Sequence, residues 1–208
     1  MGLVKRVGAA SADLDRRSRA RDVAGLMAGL ADDDADVRRW SALDLAHHPE
    51  ATGALVGRLE VEADRAVRDA VLTTLAGFDS LEAAAGLAPH LRSEDAALRT
   101  AVVSALAGMP TAAPSVVPAL LDDADPDVRI LTVMVLGQLR AQQVPGWLLE
   151  VLRTDEHPNV CAAALAELAE LVEPSMAGVV AAVAARFPDD PFLAFTADAL
   201  LDRLGATS

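Results

Sequence analysis

The sequence has no tyrosine, two tryptophans and four phenylalanines among 208 residues, and a single cysteine. Aromatic side chains cannot build such a core, so alanine, leucine and valine must. Alanine and leucine are strong helix formers, and this composition suits closely packed helices better than strands. With Cys161 alone, no intramolecular disulfide can form and nothing points to an oxidising compartment. Long apolar runs are missing too. None approaches the roughly 20 residues needed to cross a bilayer uncharged. After Met1 only Gly-Leu-Val precedes Lys5-Arg6, with no apolar leader behind it. Acylation at Gly2 is not expected, because Arg6 stands where that motif wants serine or threonine. Positive charge is scarce beyond the N-terminus. Residues 1–21 hold six basic side chains (Lys5, Arg6, Arg16, Arg17, Arg19, Arg21) against Asp13 and Asp15, a balance of +4, so the total of −13 leaves −17 for the remainder. A surface this acidic repels phosphate backbones. The expectation is a cytoplasmic protein with neither nucleic acid nor membrane as partner.

What the chain does have is a period. Asp125-Pro126-Asp127-Val128-Arg129 reads as a helix start. The aspartate can cap free first-turn amides, proline fits the first helical position, and the next carboxylate suits the helix dipole. With Val128 as position zero, the same slot holds Val37, Val67, Leu98, Val160 and Phe192, at gaps of 30, 31, 30, 32 and 32 residues. Three residues before zero stand Asp34, Asp64, Asp95, Asp125, His157 and Asp189. One residue after it stand Arg38, Arg68, Arg99, Arg129, Cys161 and Leu193. Eight after it is always leucine: Leu45, Leu75, Leu106, Leu136, Leu168 and Leu200. A fixed period of this length means a stacked array.

Each repeat pairs a first helix with an acidic turn and a second helix. First helices are expected near 22–31, 50–60, 80–92, 114–121, 143–153 and 174–186. Second helices are expected near 35–47, 65–77, 96–108, 126–140, 158–171 and 190–204. Pro114, Pro118 and Pro145 mark starts of first helices, with Pro118 able to kink its own, and Gly205 is a candidate cap for the last helix. The organisation reads as a basic, partly helical arm over 1–21, repeats over 22–204 and a tail over 205–208.

The Asp-x-x-Val-Arg start followed by small residues and leucine resembles HEAT repeats, and the short unit is similar to the HEAT-like repeats of phycobilin lyases. The resemblance covers residues 22–204. It implies an all-α, right-handed solenoid of about six two-helix repeats, with second helices lining the concave side. It also implies a binding scaffold, and charges that bridge to the neighbouring repeat.

The aspartate and arginine columns are four residues apart, so Asp34/Arg38, Asp64/Arg68, Asp95/Arg99 and Asp125/Arg129 are expected to meet along one helix turn as a structural ladder. The fifth repeat breaks both columns with His157 and Cys161. Two ligands do not make a metal site, so a neutral pair is expected there, with no metal. In each second helix, positions zero, four, seven, eight and eleven form the packing stripe. Positions two, three, six and ten then face the groove. Trp40 and Leu43 in the first repeat, and Ile130, Leu131 and Met134 in the fourth, are large and apolar where a solvated face would be charged. Phe195 in the sixth joins them. Small residues fill the repeats between. Such a groove accepts an apolar segment of another protein.

The expected function is therefore a protein–protein interaction scaffold, adaptor or maturation chaperone, monomeric or weakly dimeric, without cofactor or catalysis. No His-Glu dipeptide of the di-iron HEAT-repeat hydroxylases is present, and the charge is opposite to that of the HEAT-like DNA glycosylases. The alternative is a phycobilin-lyase-like subunit, in which Asp69, Glu170, Asp198 and Asp202 would face pyrrole nitrogens.

Overall fold

A computed structural model describes residues 22–169, 171 and 174–206, leaving the N-terminal arm and Glu170 outside its range. Every described element is helical. The chain forms two compact units, Met1–Phe78 and Asp79–Ser208.

In the first unit, α1 (Val23–Gly29) and α3 (Thr52–Val61) are the first helices of two repeats, and α2 (Ala35–Asp44) and α4 (Arg65–Phe78) the second. α1 packs on α2 and α3 on α4, while α2 lies along α4. Thr74 closes that contact: its buried hydroxyl donates to the Ala42 carbonyl at 2.9 Å. Gly29 lets the first pair approach, since a Cβ there would stand 2.2 Å from Ser41 Oγ.

The second unit holds four more pairs. Its first helices are α5 (Leu81–Leu87), α7 (Ala113–Leu121), α9 (Val144–Thr154) and α11 (Ala177–Arg186). Its second helices are α6 (Ala96–Ala107), α8 (Pro126–Gln138), α10 (Pro158–Leu168) and α12 (Pro191–Ala206). The second helices pack in succession, α6 on α8, α8 on α10 and α10 on α12. Pro89 has no amide for the α ladder, and α5 tightens into a 3-10 turn over Ala88–Arg92. Pro114 and Pro145 lie in the first turns of α7 and α9, whereas Pro118 sits inside α7 without ending it.

The zero and eight positions form the core spine. Val67, Val128 and Val160 are at most 1% exposed, as are Leu45, Leu75, Leu106, Leu136 and Leu168. Position five, which the sequence pattern leaves unassigned, is buried as well in Ala42, Leu72, Val103, Val133 and Leu165.

The sixth repeat corrects the register by one residue. Phe192 is 67% exposed, while Leu193 is fully buried. The reason is the cap. Asp190, not Asp189, accepts from the amides of Phe192 and Leu193 at 3.1 and 2.9 Å, as Asp64 accepts from Ala66 and Val67. Position zero is thus Leu193, and Asp190-Pro191 repeats the Asp125-Pro126 start. α12 runs on through Gly205 to Ala206. Among the described residues no glycine has a positive φ, and the left-handed conformation is taken by Asp79, at φ 43°. Its carboxylate accepts from the Thr111 and Ala112 amides, at 3.0 and 2.8 Å for the closest contacts.

Candidate functional site

The ladder residues divide their work differently from the i,i+4 expectation. Each aspartate faces amides: Asp34 accepts from Asp36, Asp64 from Ala66 and Val67, Asp95 from Ala97 and Leu98, and Asp125 from Asp127. Arg38 and Arg129 do not turn back to Asp34 and Asp125, because those oxygens are committed to the helix start. Three of the ladder guanidiniums close their own turns by donating to a carbonyl six residues earlier. Arg38 reaches Asp32, Arg99 reaches Ser93, and Arg129 reaches Asp123, at 2.9, 2.6 and 2.8 Å.

The other side of the guanidinium reaches a carboxylate at the next turn. Arg38 Nε and Nη2 meet the Glu62 carboxylate at 2.8 and 3.0 Å. Arg129 meets Asp155 likewise at 2.8 and 3.1 Å. These acceptors form a further column that sequence reasoning missed: Asp32, Glu62, Ser93, Asp123 and Asp155, two residues before each cap position. Each accepts the amide of that cap residue at 2.8–3.1 Å. The signal was present, as an acidic or hydroxyl residue at a constant offset.

Glu62 is the most enclosed of these, with its side chain 1% exposed. Burial pushes its carboxyl up. The Arg38 guanidinium, the Asp64 amide and the charge of Arg58 together overrule that and hold it down at about 2. Arg58 completes the cluster with Nε at 2.7 Å. Arg92 pairs with Asp123 in the second unit.

The fifth repeat keeps the arrangement with substitutes. His157 makes no side-chain cap, and its Nδ1 is buried without a hydrogen-bond partner. Cys161 occupies the arginine slot, its Sγ 3.3 Å from the Asp155 carbonyl. The missing guanidinium comes from the next first helix. Arg186 donates to the carbonyls of Arg153 and Asp155, both at 2.8 Å, and approaches Cys161 Sγ at 3.1 Å. Burial raises the thiol, against a lowering influence from Arg186. Among the described residues, no three of His, Cys, Asp and Glu gather as metal ligands would.

The apolar candidates fall on both units. In the first, Trp40 is 41% exposed, with the Arg39 guanidinium 5.2 Å from its ring centre. Leu43, half-buried, lines a groove of about 210 Å³ with Arg39, Asp69 and Thr73. In the second, Ile130 and Leu131 are half-buried and Met134 is 39% exposed on α8. Ala163 and Ala166 follow on α10, and Phe192 and Phe195 stand out on α12, the latter 73% exposed. The corrected register puts Phe195 at position two and Ala199 at position six. It also moves Asp198 and Asp202 to positions five and nine, off the face where pyrrole contacts were considered. Hydroxyls on these faces are satisfied by their own helices: Thr73, Thr100, Ser104 and Thr196 each bond a carbonyl four residues back.

Paired helices at this period, joined by capped and charge-bridged turns, define an all-α repeat protein. The model of HEAT repeats matches residues 23–107 and 113–201. The chain belongs to the HEAT-repeat family, and its fold class is the α-solenoid of such repeats. No curated protein matches it. Similar solved structures include a crystal structure of an engineered protein, 18% identical with a TM-score of 0.43, covering 89% of this chain and 97% of that one. Another is the complex of CpcE and CpcF of phycocyanin lyase from Nostoc sp. PCC7120, 19% identical with a TM-score of 0.39, covering 88% and 94%. A designed armadillo repeat protein is 16% identical with a TM-score of 0.43, covering 88% and 100%. Similarity at this level carries no functional information. No described helix is long and apolar enough to cross a membrane.

Proposed function

We propose that this HEAT-repeat scaffold is an adaptor that binds another protein on the exposed faces of its second helices. The observation that carries the reading is the face of α8, α10 and α12, where Met134, Phe192 and Phe195 meet solvent while the hydroxyl of Thr196 is turned back into its own helix. Large exposed apolar groups grouped on one face mark interaction sites more often than chance exposure does. The anchor residues Trp40, Leu43, Ile130, Leu131, Met134 and Phe195 are the proposed contacts, and the Asp/Arg columns serve the fold. Affinity capture from the source cell tests this with wild type against Leu131→Glu/Met134→Glu, after circular dichroism shows equal helicity. A polypeptide that binds wild type directly, and binds the double variant at least tenfold more weakly, supports the reading. Equal binding to both refutes it.

A further inference from the structure

We propose that the face of α8, α10 and α12 takes a basic amphipathic helix from its partner; the inference rests on the adaptor reading above. Three observations select that chemistry, beginning with shape. Ile130, Leu131 and Met134 wall one side, Phe192 and Phe195 the other, and Ala163 and Ala166 lie between them on α10. An alanine floor between larger walls leaves room for side chains entering from outside. Three packed helices at roughly 10 Å spacing put about 20 Å between the outer axes, a span that about 13 helical residues cover.

The second is hydrogen bonding. Thr196 Oγ donates to the Phe192 carbonyl at 2.8 Å, and Gln138 Nε2 to the Met134 carbonyl at 3.3 Å. Those donors are spent locally, only isolated side-chain acceptors remain, and no described strand edge exists to extend. An extended peptide laid here would have its backbone amides desolvated without partners. A helix arrives with its amides already satisfied, so the face selects a helix.

The third is charge. Residues 126–206 contain eleven carboxylates against five arginines and no lysine. Arg129 is held by Asp155, Arg186 by backbone carbonyls, and Arg153 lies 3.7 Å from Glu150. Exposed Asp198 and Asp202 flank the apolar side of α12 and exposed Asp127 opens α8, while exposed Arg203 takes position ten of α12. A polar flank of lysine and arginine complements that rim, whereas phosphate backbones and anionic lipid surfaces are repelled by it.

The test uses the full chain and three labelled 14-residue peptides in fluorescence anisotropy. One carries leucines at i, i+3, i+4 and i+7 with lysines elsewhere. The second keeps the leucines and replaces lysine by glutamate. The third keeps the lysines and replaces leucine by alanine. The leucine/lysine peptide is expected to bind at least tenfold more tightly than either control. Met134→Glu/Phe195→Glu should remove that binding, and Asp198→Lys/Asp202→Lys should weaken it about tenfold, as several close charge contacts would. Tighter binding of the glutamate peptide, lost in the Met134→Glu/Phe195→Glu variant, overturns the basic partner and leaves the face intact. Equal binding of the leucine/lysine peptide to wild type and that variant overturns the face itself. Circular dichroism of each variant separates loss of binding from loss of fold.

Discussion

Replacing Glu62 by glutamine tests whether the charged turns hold neighbouring helices together. The substitution keeps the shape and removes the charge, leaving Arg38 and Arg58 facing an amide. A carboxyl that ionises at about 2 in the fold, against an ordinary 4.5, contributes at most about 3 kcal/mol at neutral pH. The two arginine side chains are 13% and 19% exposed, so they recover some hydration, and the expected loss is about 2 kcal/mol. The folded value lies below the unfolded one, so the contribution is present above about pH 4.5 and drains away as pH falls toward 2. The gap between parent and Glu62→Gln should therefore be widest at pH 7 and lose more than half its size by pH 3. Urea unfolding followed by Trp40 fluorescence, with Trp147→Phe in both proteins, reports on the first unit alone. A gap that stays constant between pH 7 and pH 3, or a variant as stable as its parent at pH 7, would refute the reasoning.

Asp79→Ala should cost about 2 kcal/mol in urea unfolding followed by circular dichroism, because it removes the acceptor of the Thr111 and Ala112 amides and leaves alanine at φ 43°. Asp79→Asn, which keeps one oxygen and tolerates that φ, should cost about half as much; equal stability of all three proteins would dismiss the turn. Cys161 is 0% exposed and its thiol is raised by burial. Iodoacetamide should therefore label it at pH 7 only as fast as the fold opens, and Arg186→Ala should speed labelling measured by mass spectrometry. Rapid labelling of the native protein would contradict the packing of α10.

The period made the architecture legible because each repeat uses the same device: aspartate or histidine before the helix, a buried apolar residue at zero, and leucine at eight. All twelve described α-helices fall close to the segments that pattern marks. It failed where two candidates for one slot stood side by side. Asp189 and Asp190 both offer a carboxylate, and Phe192 and Leu193 both offer an apolar side chain. Only the proline in Asp190-Pro191, matched to Asp125-Pro126, could have decided between them. Arg38 and Arg129 were misassigned for another reason. Sequence spacing shows what lies one helix turn away, whereas Glu62 and Asp155 lie 24 and 26 residues from their arginines and come near only through stacking. The resemblance to HEAT repeats, with its bridging charges, pointed the right way where helical spacing did not.

Position five shows that the exposed phenylalanines are not the loose end of a poorly covered helix. Thr74 of α4 bonds the Ala42 carbonyl of α2 at this position, so in that pair position five lies against the following second helix. Five second helices bury an apolar residue there, but α12 carries Asp198, exposed, with exposed Asp202 one turn later. A carboxylate under another helix with no cation beside it would cost several kcal/mol in lost hydration, whereas in water it carries no such cost. The successor side of α12 is thus suited to solvent. The adjoining inner side of the same helix keeps Phe192, Phe195 and Ala199. Fraying or weak packing would expose apolar and polar residues without regard to face. Segregation on one helix, with carboxylates on one side and phenylalanines on the adjoining inner side, is the pattern that the proposed adaptor reading calls for.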